Sequence, residues 1–388
     1  MQNLAVPIAV NQATGKATWI GITAMAGLFP SLIANSFAGT IADRFERRAV
    51  LFVFQFGMAI AAFALWWLFR SERPSMVILC VLVACSSFLG GVSITTWQSF
   101  VPTLVPRELL GPAVRLNSMQ FAFGRALGPL LAAVAIGAYG PRIAFLANGV
   151  SYVTVLGVLA VMPKTKPAAP SRESAFKQIA DGWRYVASYR SLVLPSITNF
   201  VTGFLGFAFV QLSAPIAVDL FHRKRTTSGW LNVGFGVGGV VGMVVVSWIG
   251  ERVPRSKTVP FWLFGWVFGF AAVAFAPNFG LGIAAMVIVG IGHVGSASSL
   301  NSSLQLQVDE RYRGRVLSVY MWGILAGVPL GSIVFGSMMD HVGARPALLV
   351  AASGIGIYAL CLRRMGLRYV DSSGPSGPPL RRRRPITG

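Results

Sequence analysis

Apolar residues come in nearly unbroken runs along this chain, separated by short clusters of charge. The runs cover roughly 18–41, 49–69, 75–99, 115–139, 142–162, 193–218, 228–249, 258–277, 279–301, 315–339 and 344–361. At about 1.5 Å per residue in a helix, runs of this size match a hydrocarbon core of about 30 Å. Backbone polar groups inside a bilayer must be satisfied within the segment, so the runs are expected to be helices. The pattern predicts an all-α membrane protein with about eleven full spans. A shorter apolar stretch, Met1 to Val10, covers only about 15 Å as a helix. It is expected to be the outer half of an incomplete first helix, either because the true start lies upstream or because the gene is truncated. No basic n-region or small-residue cleavage site precedes residue 18, so the stretch does not read as a signal peptide.

Composition strengthens this picture. Hydrophobic residues make up 54% of the 388 and charged residues 12%, against about 25% charged in a soluble domain. The net charge of +21 invites a nucleic-acid reading, but the Lys and Arg residues stand at the ends of apolar runs, where they orient a membrane protein. If the loop around Asp43 to Arg48 is placed on one side and the spans alternate, that side receives 24 of the 33 basic residues. The other side receives eight, and Arg125 falls within a span. The basic side is cytoplasmic by the positive-inside rule, which puts the C-terminus inside and the protein in the cytoplasmic (inner) membrane as a multi-pass chain. Cys80, Cys85 and Cys361 all lie in apolar runs without ligand spacing and read as small buried hydrophobes.

The chain divides at its longest polar stretch. Residues 1–162 are expected to form an N-terminal helix bundle with a partial first helix, and 193–362 a C-terminal one. Between them, 163–192 reads as a cytoplasmic linker. It starts Pro-rich and continues with Phe176, Ile179, Trp183 and Val186 at helical spacing among Lys177, Arg184 and Arg190. That pattern suits a helix lying on the inner leaflet, or one that binds a partner. The tail 363–388 is Pro/Gly/Ser-rich, ends in Arg381 to Arg384, and is expected to be a basic, disordered cytoplasmic segment attracted to anionic lipid. A shift of 203 residues lays Gly111, Gly124, Gly128, Gly140 and Arg142 on Gly314, Gly327, Gly331, Gly343 and Arg345. A shift of 208 lays Asp43 to Arg47 on Glu251 to Arg255. The ordered series implies two pseudo-symmetric six-helix halves, the first incomplete. Internal repeats of this kind are what transporters use to expose a midplane site to each side in turn.

The loop Gly39-Thr40-Ile41-Ala42-Asp43-Arg44-Phe45-Glu46-Arg47-Arg48 resembles the hallmark loop of the major facilitator superfamily. Ile179 to Val186, Arg125 to Pro129, Asn301, Gln305, Glu310 to Val316 and Pro329-Leu330-Gly331 resemble its enterobactin-exporter-like branch, the transmembrane secretion effectors. The resemblance covers nearly the whole chain and departs at the incomplete first helix. It implies the major facilitator fold and a gate made of Gly39, Asp43, Arg44, Arg47 and Arg48, with Glu251, Arg252, Arg255, Arg313 and Arg315 in the other half. In the family the Asp sits against a helix N-terminus, where the dipole favours an anion. The other reading of the loop is a topological anchor. Gly124, Gly128 and Pro129 resemble an antiporter-associated signature. With Gly327 and Gly331 they are expected to let helices approach closely, which is also what packing alone would require.

Arg125 is the one basic residue inside a span, near the midplane. A charge there is costly and marks either an anionic substrate group or a structural contact. His293 lies within a span and is either a proton carrier or a satisfied interior histidine. None of the twelve acidic residues stands at mid-span, so a proton relay must use His293, the outer Asp219 or Asp340, or a group upstream. By family analogy, helices one, four, seven and ten surround the cavity. The polar residues on them, Trp97, Gln98, Asn199, Gln211, His293, Ser298 and Asn301, are expected to touch substrate together with Arg125. His222 and His341 lie at outer ends, so no metal site is expected. No cofactor, nucleotide motif or nucleophile triad is visible, which points away from an enzyme and from ATP-driven transport.

The expected function is secondary active export of small amphipathic molecules (a drug, siderophore or metabolite) by a proton-coupled antiporter. Its partners are expected to be that substrate and the lipid bilayer, not nucleic acid, and the chain is expected to act as a monomer. Two alternatives stay open at this point: a non-transporting scaffold or sensor derived from a transporter, and an importer of the same solutes.

Overall fold

The structure, a computed structural model, describes residues 2–71, 74–106, 139–162, 175–249, 255–308 and 312–364, with 109, 112, 113, 116, 117, 120, 124, 131, 132, 135 and 136 between them. For Gly39, Asp43, Arg44, Arg255 and Arg313 it describes the backbone alone. The described residues form α-helices Gln2–Thr14 (α1), Thr18–Arg44 (α2), Arg47–Leu68 (α3), Met76–Phe100 (α4), Pro141–Val161 (α5), Ala175–Ser188 (α6) and Arg190–Val201 (α7). Ser213–Asp219 (α8), Gly229–Ile249 (α9), Arg255–Phe275 (α10), Phe279–Gln307 (α11), Arg313–Val342 (α12) and Ala344–Arg364 (α13) follow. Most of the run 115–139 lies outside the described residues, as do the Pro-rich start of the linker and the basic tail. Nine helices among the described residues are long and apolar enough to cross a membrane. Large apolar side chains face outward on several of them, Val77 70%, Phe268 67% and Trp248 75% exposed. Water would make that surface costly, whereas lipid accepts it.

The run 193–218 departs from the expected single helix. After α7 the chain widens into a π turn, Thr202–Phe207, then a short helical turn, Ala208–Gln211, before α8. Gly203 and Gly206 make room there. A Cβ on the first would stand 3.1 Å from the Ile324 backbone, and one on the second 2.8 Å from the Trp266 ring. The widened register therefore rests on contacts from other helices, which the local sequence does not encode.

The chain forms two compact units. The first comprises 1–175, 211–233 and 332–340; the second comprises 176–210, 234–331 and 341–388. In the first, α2 lies along α4, and small cores form around Ala34, Val50 and Val92 and around Leu51, Phe100 and Leu159. Ala5, Ile8 and Val10 of α1 are also buried. In the second, glycines set the helix spacing. Gly323, Gly327 and Gly331 recur every fourth residue on α12, and at each a Cβ would come within 3 Å of the Ser196, Phe200 or Phe204 carbonyl oxygen. Two backbones can approach this closely only where side chains are absent.

The expected repeat has a backbone counterpart. Gly140 precedes α5 with φ +81° and Gly343 precedes α13 with φ +91°. Both take the left-handed turn conformation that glycine permits without strain, 203 residues apart.

Candidate transport site

Within the second unit, polar side chains first fix α7 in place. The Thr198 and Tyr358 hydroxyls are 2.8 Å apart, and the buried Asn199 amide donates to the Tyr320 carbonyl at 2.7 Å. Asn199 is thereby committed to joining α7 and α12. About two turns beyond, the π segment ends at Phe207, whose ring centroid lies 5.1 Å from the His293 imidazole on α11. Phe235 stands 5.4 Å and Trp266 5.5 Å from the same imidazole. His293 is half-buried inside this aromatic box. Trp266 is fully buried, and its indole N–H has no acceptor among the described residues. π turns occur disproportionately at functional positions, and this one carries Phe207 onto His293.

The sequence singled out His293 but not the three rings around it. A signal existed in Gly206, whose missing side chain is the space the Trp266 ring occupies. Ser298 and Asn301 are half-buried on the same helix, with Asn301 Oδ1 accepting from the Gln305 amide. At 100° per residue, His293 and Ser298 stand about 140° apart around α11, so the helix does not turn both to one face. Gln211, in the first unit, is half-buried.

In the first unit, the Trp97 indole donates to Asn117 Oδ1 at 2.9 Å, tying α4 to the following span, while Gln98 is exposed. Arg125, Gly128 and Pro129 lie outside the described residues. Gly124 meets nothing within 4 Å among the described residues, in contrast to its repeat mate Gly327. The close helix contact expected at Gly124 is not made among the described residues.

The residues expected to form the gate are partly described. Arg48 donates from Nε to the Leu159 carbonyl (2.7 Å) and from a terminal nitrogen to Ala160 (2.6 Å), capping the C-terminus of α5, where a cation is favoured. Arg47 is buried. The side chains of Asp43 and Arg44, and Glu251 and Arg252 altogether, fall outside the described residues, as do the side chains of Arg255 and Arg313. Arg315 is placed clearly. It stands 3.8 Å from Asp181 of α6, whose carboxylate also lies 3.6 Å from Arg184. Tyr185 of α6 stacks on Tyr312 at 4.2 Å, and a Cβ on Gly182 would meet the Arg315 carbonyl at 2.9 Å. α6 thus docks on the start of α12 through Asp181, Gly182 and Tyr185, leaving Trp183 and Arg184 exposed.

The two carboxylates considered for proton coupling stand at helix ends. Asp219 is exposed at the end of α8. Asp340, near the end of α12, accepts from the Ala17 N–H (2.7 Å), the Thr18 N–H (2.9 Å) and the Thr18 hydroxyl (2.7 Å). It is the cap of α2. Among the described residues no group of His, Cys, Asp and Glu could hold a metal ion.

Residues 1–380 match the family described as transmembrane secretion effector. The chain belongs to that family, within the major facilitator superfamily. It is 27% identical over 385 residues to the multidrug efflux pump Tap of Mycobacterium tuberculosis, covering 95% of this chain and 90% of that one. It is 21% identical over 358 residues to the enterobactin exporter EntS of Escherichia coli, covering 91% and 84%. Among solved structures, a bacterial homolog of the human lysosomal transporter Spinster superposes with a TM-score of 0.72 at 14% identity, covering 95% of both chains. That likeness establishes the major facilitator fold for this multi-pass membrane protein.

Proposed function

We propose that this chain exports small amphipathic molecules across the cytoplasmic membrane by alternating access, with proton influx as the driving force. The observation that carries the reading is the end-to-end correspondence with a multidrug efflux pump, spanning 385 residues and 90% of that pump. The charge distribution supports a cytoplasmic C-terminus. The aromatic box suits planar or cationic apolar solutes, because ring faces attract cations and bury flat surfaces. Within it His293 is the titratable group, so it is assigned as proton carrier and substrate contact. Trp97, Gln98, Arg125, Gln211 and Asn301 complete the proposed contact set, while Ser298 stands on another face of α11 and Asn199 positions α7. Asp43, Arg44 and Arg47, with Glu251, Arg252, Arg255, Arg313 and Arg315, form the proposed inner gate. Arg48 supports it by holding α3 to α5.

The test is steady-state accumulation of a fluorescent cationic dye in cells stripped of their own efflux pumps. Expression of this chain is expected to lower accumulation several-fold, and a protonophore to abolish the difference. Unchanged accumulation removes transport from the reading; raised accumulation reverses its direction. His293→Ala is expected to abolish extrusion driven by an imposed pH gradient. Unchanged extrusion would move proton coupling to another group.

A further inference from the structure

We propose that the Asp340 carboxylate is the latch of the closed outer gate, holding the end of α12 on the N-terminus of α2. The proposal rests on the alternating-access reading and assigns the residue that shuts the outer side.

Helix N-termini expose unsatisfied N–H groups, usually capped by the side chain of the residue just before the helix. The N-cap of α2 is Ala17, which has no side chain able to do this. The cap comes instead from Asp340, 322 to 323 positions away in the sequence. Three donors converge on its two oxygens, Ala17 N–H on one and the Thr18 N–H and hydroxyl on the other. The positive end of the α2 dipole adds to the attraction. A cap supplied from a distant segment exists only while that segment stays in place. Separation of α12 from α2 therefore strips α2 of its cap and leaves its first amides to water.

A second observation is independent of the carboxylate. The same segment of α12 presses closely on α2 at two glycines, whose missing side chains make room for it. A Cβ on Gly336 would meet the Ala17 carbonyl oxygen at 2.7 Å, and a Cβ on Gly21 would meet the Ile333 amide at 2.4 Å. The contact is a tight seal about one turn deep, made by backbone and the Ile333 side chain, with Asp340 at its rim. Exposure of Asp340 lets water compete for each bond, so the latch can open within a transport cycle. Ala17 and Ile20, each 1% exposed, lie beneath it. Pro329, three residues before the first unit resumes at Ser332, removes a helical hydrogen bond and softens α12 below the seal.

The latch is read with Ile20→Cys in a chain whose Cys80, Cys85 and Cys361 are replaced by serine. A membrane-impermeant maleimide is added to the outer face of right-side-out membranes. Losing charge-assisted bonds to a carboxylate corresponds to about a tenfold change in the closed-to-open ratio. Labelling is therefore expected to run about tenfold faster with Asp340→Ala than with Asp340, and at an intermediate rate with Asp340→Asn. Thr18→Ala removes one bond from the other side and is expected to give a rise of about threefold. It decides the matter if Asp340→Ala fails to reach the membrane. Equal rates in Asp340→Asn, Thr18→Ala and the parent overturn the proposal. The labelling needs no transported solute, so a parent chain that leaves dye accumulation unchanged would sink the export reading while this result still stands or falls on its own.

Discussion

At the scale of single residues, several candidates proved to be held by the protein itself. Asn199, chosen as a polar group in an apolar span, spends its amide on the Tyr320 carbonyl. Arg48, chosen from the hallmark loop, caps α5. Sequence marks such residues as unusual, but a polar group in a span is explained equally by a ligand or by a neighbouring carbonyl. His293 was legible as a lone titratable group, and its box was not, because Phe207, Phe235 and Trp266 come from three different helices and look like ordinary apolar residues. Glycines allow a sharper prediction. Gly331→Ala places a Cβ 2.1 Å from the Phe204 carbonyl oxygen. It should destabilise the protein by about 1–3 kcal/mol, read as a lower melting temperature in detergent. Gly124→Ala, with no described residue within 4 Å, should leave the melting temperature in place.

At the scale of elements, hydrophobic run length located most of the described spans to within a few residues, since a helix must bridge the bilayer whatever its tertiary partners. It predicted 344–361 where α13 is Ala344–Arg364, and 315–339 where α12 is Arg313–Val342. Run length says nothing of hydrogen-bond register, so the π turn at Thr202–Phe207 stayed invisible. The amphipathic linker helix was also legible, but its docking was not. Ion pairing of Asp181 with Arg315 is a long, half-buried contact at 3.8 Å that water still reaches, worth about 1 kcal/mol, whereas Gly182 lies against backbone. Gly182→Leu should therefore release α6, detected as faster amide exchange over Ala175–Ser188, and Asp181→Ala should change that exchange only slightly.

At the scale of the whole molecule, orientation in the membrane determines what every helix-end contact means. On the proposed alternation of the spans, basic residues number 24 on one side and eight on the other, the kind of bias that keeps loops in the cytoplasm. A fluorescent protein that folds only in the cytoplasm, fused after Gly388, should therefore be bright. Alkaline phosphatase, active only outside, should be active when inserted at Lys224 between α8 and α9 and inactive when fused after Gly388. The reverse result would carry consequences beyond topology. Asp340 and the α2 N-terminus would then close the cytoplasmic side, and the loop from Asp43 to Arg48 would face outward, with the hallmark gate on the wrong face for export. Impermeant maleimide would fail to reach Ile20→Cys from outside even with Asp340→Ala, so the latch experiment and the fusions must agree in sign. That agreement is demanding, because one depends on about thirty charges spread along the chain and the other on a single carboxylate.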